Sequence, residues 1–133
     1  MLAVLHRERP IDAIEDMICL ILSQEDTMAE EIVILITAGS PEEGAKIAQA
    51  LVAEHLVACV NCIPGVRSFF FWEGKAQDAA EVLLVCKSRM ALMEKVIERV
   101  KSLHSYTVPE IIALPIVAGL PGYLAWVKDS TKG

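Results

Sequence analysis

Apolar and polar positions divide the chain from residue 31 onward into short runs of contrasting period. EIVILITA, residues 31–38, is an uninterrupted β-branched run of strand length that stops at Gly39. Ser40-Pro41-Glu42-Glu43 then reads as an N-cap, a proline at the first helical position and a glutamate three residues after the cap. Ala45, Ala48, Leu51, Val52 and His55 continue at helical spacing, which predicts a helix from Ser40 to about His55. Three further strands are expected. LVACVNCI, residues 56–63, is closed by Pro64-Gly65; VRSFFFW, residues 66–72, runs into a turn at Glu73-Gly74; EVLLVCKS spans residues 81–88. Met93, Val96, Ile97, Val100 and Leu103 predict a second amphipathic helix between Arg89 and about His104. IIALPIV, residues 111–117, reads as a fifth strand, placed at an edge or a bulge by Pro115. A short helix carrying Tyr123 and Trp126 follows.

This order predicts an α+β fold, a ferredoxin-like βαββαβ sandwich with two helices on one face of a mostly antiparallel sheet and an extra C-terminal helix. A sheet solvated on its other face should alternate apolar with polar residues, yet Ile32–Ile36, Phe69–Trp72 and Val82–Val85 are apolar at consecutive positions. Two helices cannot cover both faces, and a bare face this apolar exceeds what soluble monomers expose. The pattern therefore predicts a homo-oligomer that buries that face.

Composition narrows the partners. The 133 residues fit one domain that folds without disulfides or a structural metal. Hydrophobic residues make up 54%, but no apolar run approaches the roughly 18 residues of a membrane span. Four of the six net negative charges fall in residues 1–27, and the nearly neutral remainder carries no basic stripe, which argues against nucleic acid. Residues 1–27 lack a basic, then apolar, then small-residue cleavage pattern, so they read as a poorly ordered or helical leader ahead of a single domain at 28–133. Without a secretory signal the expected compartment is the reducing cytoplasm, with Cys19, Cys59, Cys62 and Cys86 as free thiols.

Cys59-Val60-Asn61-Cys62 has the spacing of a redox or zinc motif, but residues three apart on a strand face opposite ways. Pro64-Gly65 follows where a redox motif needs a helix, and a second C-x-x-C is missing. Cys62 and Cys86 read as small buried hydrophobes. His55, at a helix end, reads as structural, whereas His104 sits beside Tyr106 and Glu110 in a polar loop. Thr37, Glu81 and Lys87 fall near strand ends. With no G-x-S-x-G, H-E-x-x-H or G-x-x-x-x-G-K, the chain is expected not to be an enzyme.

In order along the chain, A-C-x-N at residue 58, S-x-x-x-W-E-G-K at 68, Lys87-Ser88, H-x-Y-x-x-P-E at 104 and Y-L-x-W at 123 resemble the CutA family of divalent-cation-tolerance proteins. The resemblance runs from about Glu31 to Ser130. It implies a homotrimer similar in architecture to the PII signalling proteins, with clefts between subunits. It also implies binding of copper or another divalent ion through Cys59 and His104; Glu110, close to His104 in the same loop, is read here as an added oxygen donor. Ser105 stands where the family usually has proline, which predicts a looser loop around His104. The alternative function is a PII-like sensor or carrier, holding a small polar ligand in an inter-subunit cleft lined by Arg67, Trp72, Glu81, Lys87, Tyr106 and Trp126.

Overall fold

The computed structural model describes residues 30–132, so the expected leader, with His6 and Cys19, lies outside the described residues. Among the described residues, four strands and three helices follow one another as β1 (Glu31–Ala38), α1 (Pro41–Ala53), β2 (Cys59–Trp72), β3 (Lys75–Arg89), α2 (Met93–Leu103), β4 (Ile111–Pro115) and α3 (Pro121–Ser130). The sheet order is β2-β3-β1-β4, with every neighbouring pair antiparallel. This is the expected α+β architecture. A 3-10 turn at Met90–Leu92 precedes α2, so that helix begins later than its apolar period suggested.

The five expected strands become four because Pro64-Gly65 does not end a strand. Pairing with β3 continues across it, from Ile63 with Leu83 to Val66 with Glu81, through a bulge in which Gly65 takes a φ of +75°. A bulge is the one place in a ladder where a missing proline N–H costs little and a left-handed glycine is useful. The expected turn at Glu73-Gly74 closes the hairpin, both residues having positive φ, as a two-residue connection matched to strand twist requires. Pro115 makes the last pair of β4, opposite Ile32, on an edge strand as expected, and the strand ends there rather than at residue 117.

α1 starts as its sequence dictates: Ser40 Oγ accepts from the Glu43 N–H at 3.1 Å, with Pro41 in the first turn. It ends in a Schellman arrangement. Leu56 N–H donates to Leu51 O at 3.0 Å and His55 N–H to Val52 O at 3.1 Å, around a His55 φ of +59°. His55 is thus structural, and its Nδ1 also lies 3.2 Å from the Ser130 carbonyl of α3.

The core forms between α1, α2 and one face of the sheet. Ile32, Ile34 and Ile36 of β1 stand opposite Ser88, Cys86 and Leu84 of β3, and Ile47, Leu51, Val96 and Val100 pack down from the helices. The other face of β1 and β3 is partly covered by α3, which contacts both strands. Arg89 donates through Nε and a terminal nitrogen to Thr131 Oγ1 and O at 2.8 and 2.9 Å, and Val127 is fully buried. The covering of this face is therefore partly intramolecular, where the sequence pattern assigned it to other copies. Ile63, Ile112 and Leu114 stay about half exposed.

Beyond the sheet, Val66–Trp72 pair only with Lys75–Glu81, while β1 pairs from Val82 onward. The β2–β3 hairpin therefore projects as a two-stranded arm, with Phe69 75%, Phe71 72% and Trp72 51% exposed.

Leu84 lies at the centre of the helix-covered face with no exposure. Leu84→Ala is expected to cost about 2–5 kcal/mol, read as a lower denaturant midpoint with an unchanged slope.

Candidate functional site

Two polar groupings stand at opposite ends of the sheet. The first gathers where β1 ends, because the loop after α2 folds back over the C-terminal end of that strand. His104 has a fully buried side chain; its Nε2–H donates to the Thr37 carbonyl at 2.7 Å and its Nδ1 accepts from the Tyr106 N–H at 3.0 Å. Those two partners fix the tautomer and occupy both ring nitrogens with backbone. Tyr106 then donates its hydroxyl to Glu81 Oε2 at 2.7 Å, and its ring lies 4.7 Å from that of His104. Gly39 permits this approach: a Cβ there would stand 3.2 Å from the Tyr106 hydroxyl. Burial, followed by the Glu81 carboxylate that accepts its proton, pushes the Tyr106 hydroxyl up to about 12.

Glu43 ties the loop to α1. Its Oε2 accepts from Ser105 N–H at 2.6 Å, while Oε1 accepts from Ser105 Oγ at 3.1 Å and from Gly39 N–H at 3.2 Å. Partial burial raises the Glu43 carboxyl, but these hydrogen bonds to its charged form outweigh that and leave it below its ordinary value. The looser loop expected from serine at position 105 is thus reversed: Ser105 supplies two donors to Glu43, and a proline would have neither.

This loop, the end of the sheet and the base of the arm enclose a groove of about 750 Å3, lined by Thr37, Phe70, Trp72, Glu81, Tyr106 and Glu110 among others. Glu81 is only 9% exposed. Of the six residues expected to line a cleft, Trp72, Glu81 and Tyr106 do meet here. Arg67 stands nearby on the arm, paired with Asp78 and 5.5 Å over the Phe69 ring.

Lys87 and Trp126 belong to the second grouping. Cys59 is half-buried, paired across the sheet with Lys87, and its Sγ lies 3.5 Å from the Tyr123 hydroxyl of α3. Lys87 Nζ bonds Asn61 Oδ1, and Trp126 stacks obliquely on Tyr123 at 5.5 Å. The hydrogen bond to Cys59 is the first cause, and burial the second, of a raised Tyr123 hydroxyl pKa.

Within one chain, then, Cys59 is not brought to His104 and Glu110. His104 binds Thr37, whose cross-strand partner is Leu83, four residues along β3 from the Lys87 that pairs with Cys59. Among the described residues no three His, Cys, Asp or Glu side chains gather as a metal-ligating set. Cys59 and Cys62 do face opposite ways, and both are free, as is Cys86. Cys86 is buried as expected, and burial, then the neighbouring Cys59 and Cys62, pushes its thiol up to about 12. Cys62 departs from the expectation: it is exposed, because it sits on the edge strand β2.

Sequence reasoning placed Glu43 only as a helix cap and overlooked Phe70 as a groove wall. Its partner Ser105 is 62 residues away, so no local signal joined them.

The family described as CutA1 divalent ion tolerance protein matches residues 32–130. The divalent-cation tolerance protein CutA of Thermus thermophilus is 48% identical over 101 residues, 76% of this chain and 98% of that protein. CutA 1, chloroplastic, of rice is 43% identical over 84% of this chain and CutA, chloroplastic, of Arabidopsis thaliana equally so. Those matches span only 63% and 61% of the two plant proteins. Among solved structures, that of the Thermus protein superposes with a TM-score of 0.75 over 76% of this chain and 98% of that one. CutA1 of Oryza sativa, 45% identical, gives 0.76 over 80% and 97%. The structure of the periplasmic divalent cation tolerance protein CutA of Archaeoglobus fulgidus, 42% identical, gives 0.75 over 77% and 99%. The expected cytoplasmic location does not stand: relatives are chloroplastic in plants and periplasmic in Archaeoglobus. Missing signal features in the sequence were too weak a guide to compartment.

Because its folded pKa is depressed, Glu43 stabilises the fold above the unfolded carboxylate pKa of about 4.3, and that contribution is lost as pH falls through the folded value. Glu43→Gln is expected to lower the melting temperature at pH 7 and to flatten its decline between about pH 5 and 3, as followed by circular dichroism.

Proposed function

Because this chain belongs to the CutA1 divalent ion tolerance family, we propose that it serves divalent-cation tolerance as a non-catalytic homotrimer that binds copper or another divalent ion. The observation that carries the assembly is the aromatic arm. An isolated two-stranded ribbon is marginal in water, and this one holds Phe69 and Phe71, which share one of its faces, largely exposed beyond the sheet. Ile63, Ile112 and Leu114, on the uncovered face of the sheet, add apolar surface suited to burial against further copies. Sedimentation should give three times the 14.5 kDa chain mass, and Phe71→Asp should yield smaller species; a wild-type monomer would overturn the assembly.

Ion handling draws its support from family membership and from the chemistry of Cys59. A thiolate selects copper or zinc over magnesium or calcium, and this one is half-buried under α3 rather than sealed in the core. One thiol does not complete a site. Since Cys59 lies far along the sheet from His104 and Glu110 in its own chain, the donors would come together across a subunit boundary. His104 would then have to release the Tyr106 N–H or the Thr37 carbonyl. Titration calorimetry of reduced protein with Cu(II) and Zn(II) is expected to show one submicromolar ion per chain, lost in Cys59→Ser. Equal binding by that variant would remove Cys59 from the site.

A second reading, a PII-like carrier or sensor of a small molecule, is favoured by the groove. Its aromatic walls and convergent polar groups, with a volume inside the usual range of about 300–1,000 Å3 for ligand pockets, suit an organic ligand.

A further inference from the structure

We propose that the groove between the arm and the loop after α2 binds an organic ammonium ion, with the Glu81 carboxylate as its counter-ion beside Tyr106 and the ligand's apolar part lying along Phe70 and Trp72 of the arm. The inference rests on the small-molecule reading above and specifies the ligand's charge.

The charge of the lining decides the class. Among the described residues around the groove, the ionisable carboxylates are Glu81 and Glu110, and no lysine or arginine joins them. Arg67 is engaged by Asp78, and Lys87 by Asn61 at the other end of the sheet. An anionic ligand would meet two carboxylates with no cation to offset them.

Glu81 is also held ready. It is nine-tenths buried, and Tyr106 secures its Oε2 at 2.7 Å. Among the described residues no donor reaches Oε1, and no buried side-chain oxygen is left without a partner, so Oε1 opens into the groove. A carboxylate this desolvated gains most from a cation that brings its own charge.

The kind of cation follows from the remaining walls. A hard divalent ion needs several converging oxygens, and no three ionisable ligands gather among the described residues. A substituted ammonium needs one carboxylate and the π faces of aromatic rings within about 6 Å. The Tyr106 ring lies beside Glu81 through their hydrogen bond, while Phe70 and Trp72, on the same face as Val66, the cross-strand partner of Glu81, stand four and six residues further along β2, so the cation sits at Glu81 and the apolar substituents of the ligand run along the arm.

The test titrates the assembled, reduced protein with three probes of similar size: benzyltrimethylammonium, benzyl alcohol and benzenesulfonate. The expected result is saturable binding of the ammonium, one per chain, at least about ten-fold tighter than either other probe. Glu81→Gln keeps an acceptor for Tyr106 and should erase that preference, while Zn(II) binding and the melting curve stay as in the wild type. Equal binding of the three probes by the wild-type protein, a comparison that needs no variant, overturns the cation assignment and leaves the small-molecule reading standing. Saturation by none of them overturns both. An unchanged preference in a folded Glu81→Gln protein removes Glu81 as counter-ion.

Discussion

The strands of this sheet carry apolar residues on both faces, and among the described residues the helices that cover it are only 10 to 13 residues long. That mismatch governs the rest. α1 and α2 spend their apolar stripes on the side of Ile32, Ile34, Leu84 and Cys86, and α3 reaches only the part of the opposite face near Arg89 and Cys59. What is left uncovered is a half-exposed row from β2 and β4 and an arm with aromatic rings in solvent. The hydrophobic effect scales with apolar area removed from water, so this uncovered area is the part of the described surface that would gain most from burial.

The same mismatch places both polar groupings. Where α3 ends its coverage, Tyr123 meets Cys59 and Trp126 stacks against it. Where the arm leaves the sheet, β1 has already ended, and the loop after α2 turns across the gap. At that ending His104 bonds the Thr37 carbonyl and Glu43 accepts from the Gly39 N–H, and the loop is kept in place by Glu43, Ser105 and the Tyr106–Glu81 bond. A buried polar network of this kind is stable only when its buried atoms have partners, and among the described residues each buried side-chain nitrogen and oxygen does. The groove lies where this loop, tied through Tyr106 to Glu81, crosses the base of the arm.

His104 shows how position and chemistry can part. Beside Tyr106 and Glu110 in a polar loop it has the look of a ligand, yet in the folded chain its two nitrogens serve the backbone of β1 and of its own loop. Cys59, by contrast, keeps a sulfur whose hydrogen-bond partner among the described residues is the Tyr123 hydroxyl. Any ion held by both would join opposite ends of the sheet from different copies.

The sequence by itself determined the element types, the capped start of α1, the Glu73-Gly74 turn, the edge position of Pro115 and the opposed directions of Cys59 and Cys62. Each of these follows from side-chain period, φ preference or a missing N–H, which act within a few residues. The continuity of β2 through Pro64-Gly65 escaped it, because a proline followed by glycine ends a strand unless a partner strand absorbs the bulge. The Glu43–Ser105 tie, the 9% exposure of Glu81 and the separation of Cys59 from His104 were decided by the tertiary structure alone. They depend on which strand lies beside which, and contacts between residues tens of positions apart leave no period along the chain from which to read them.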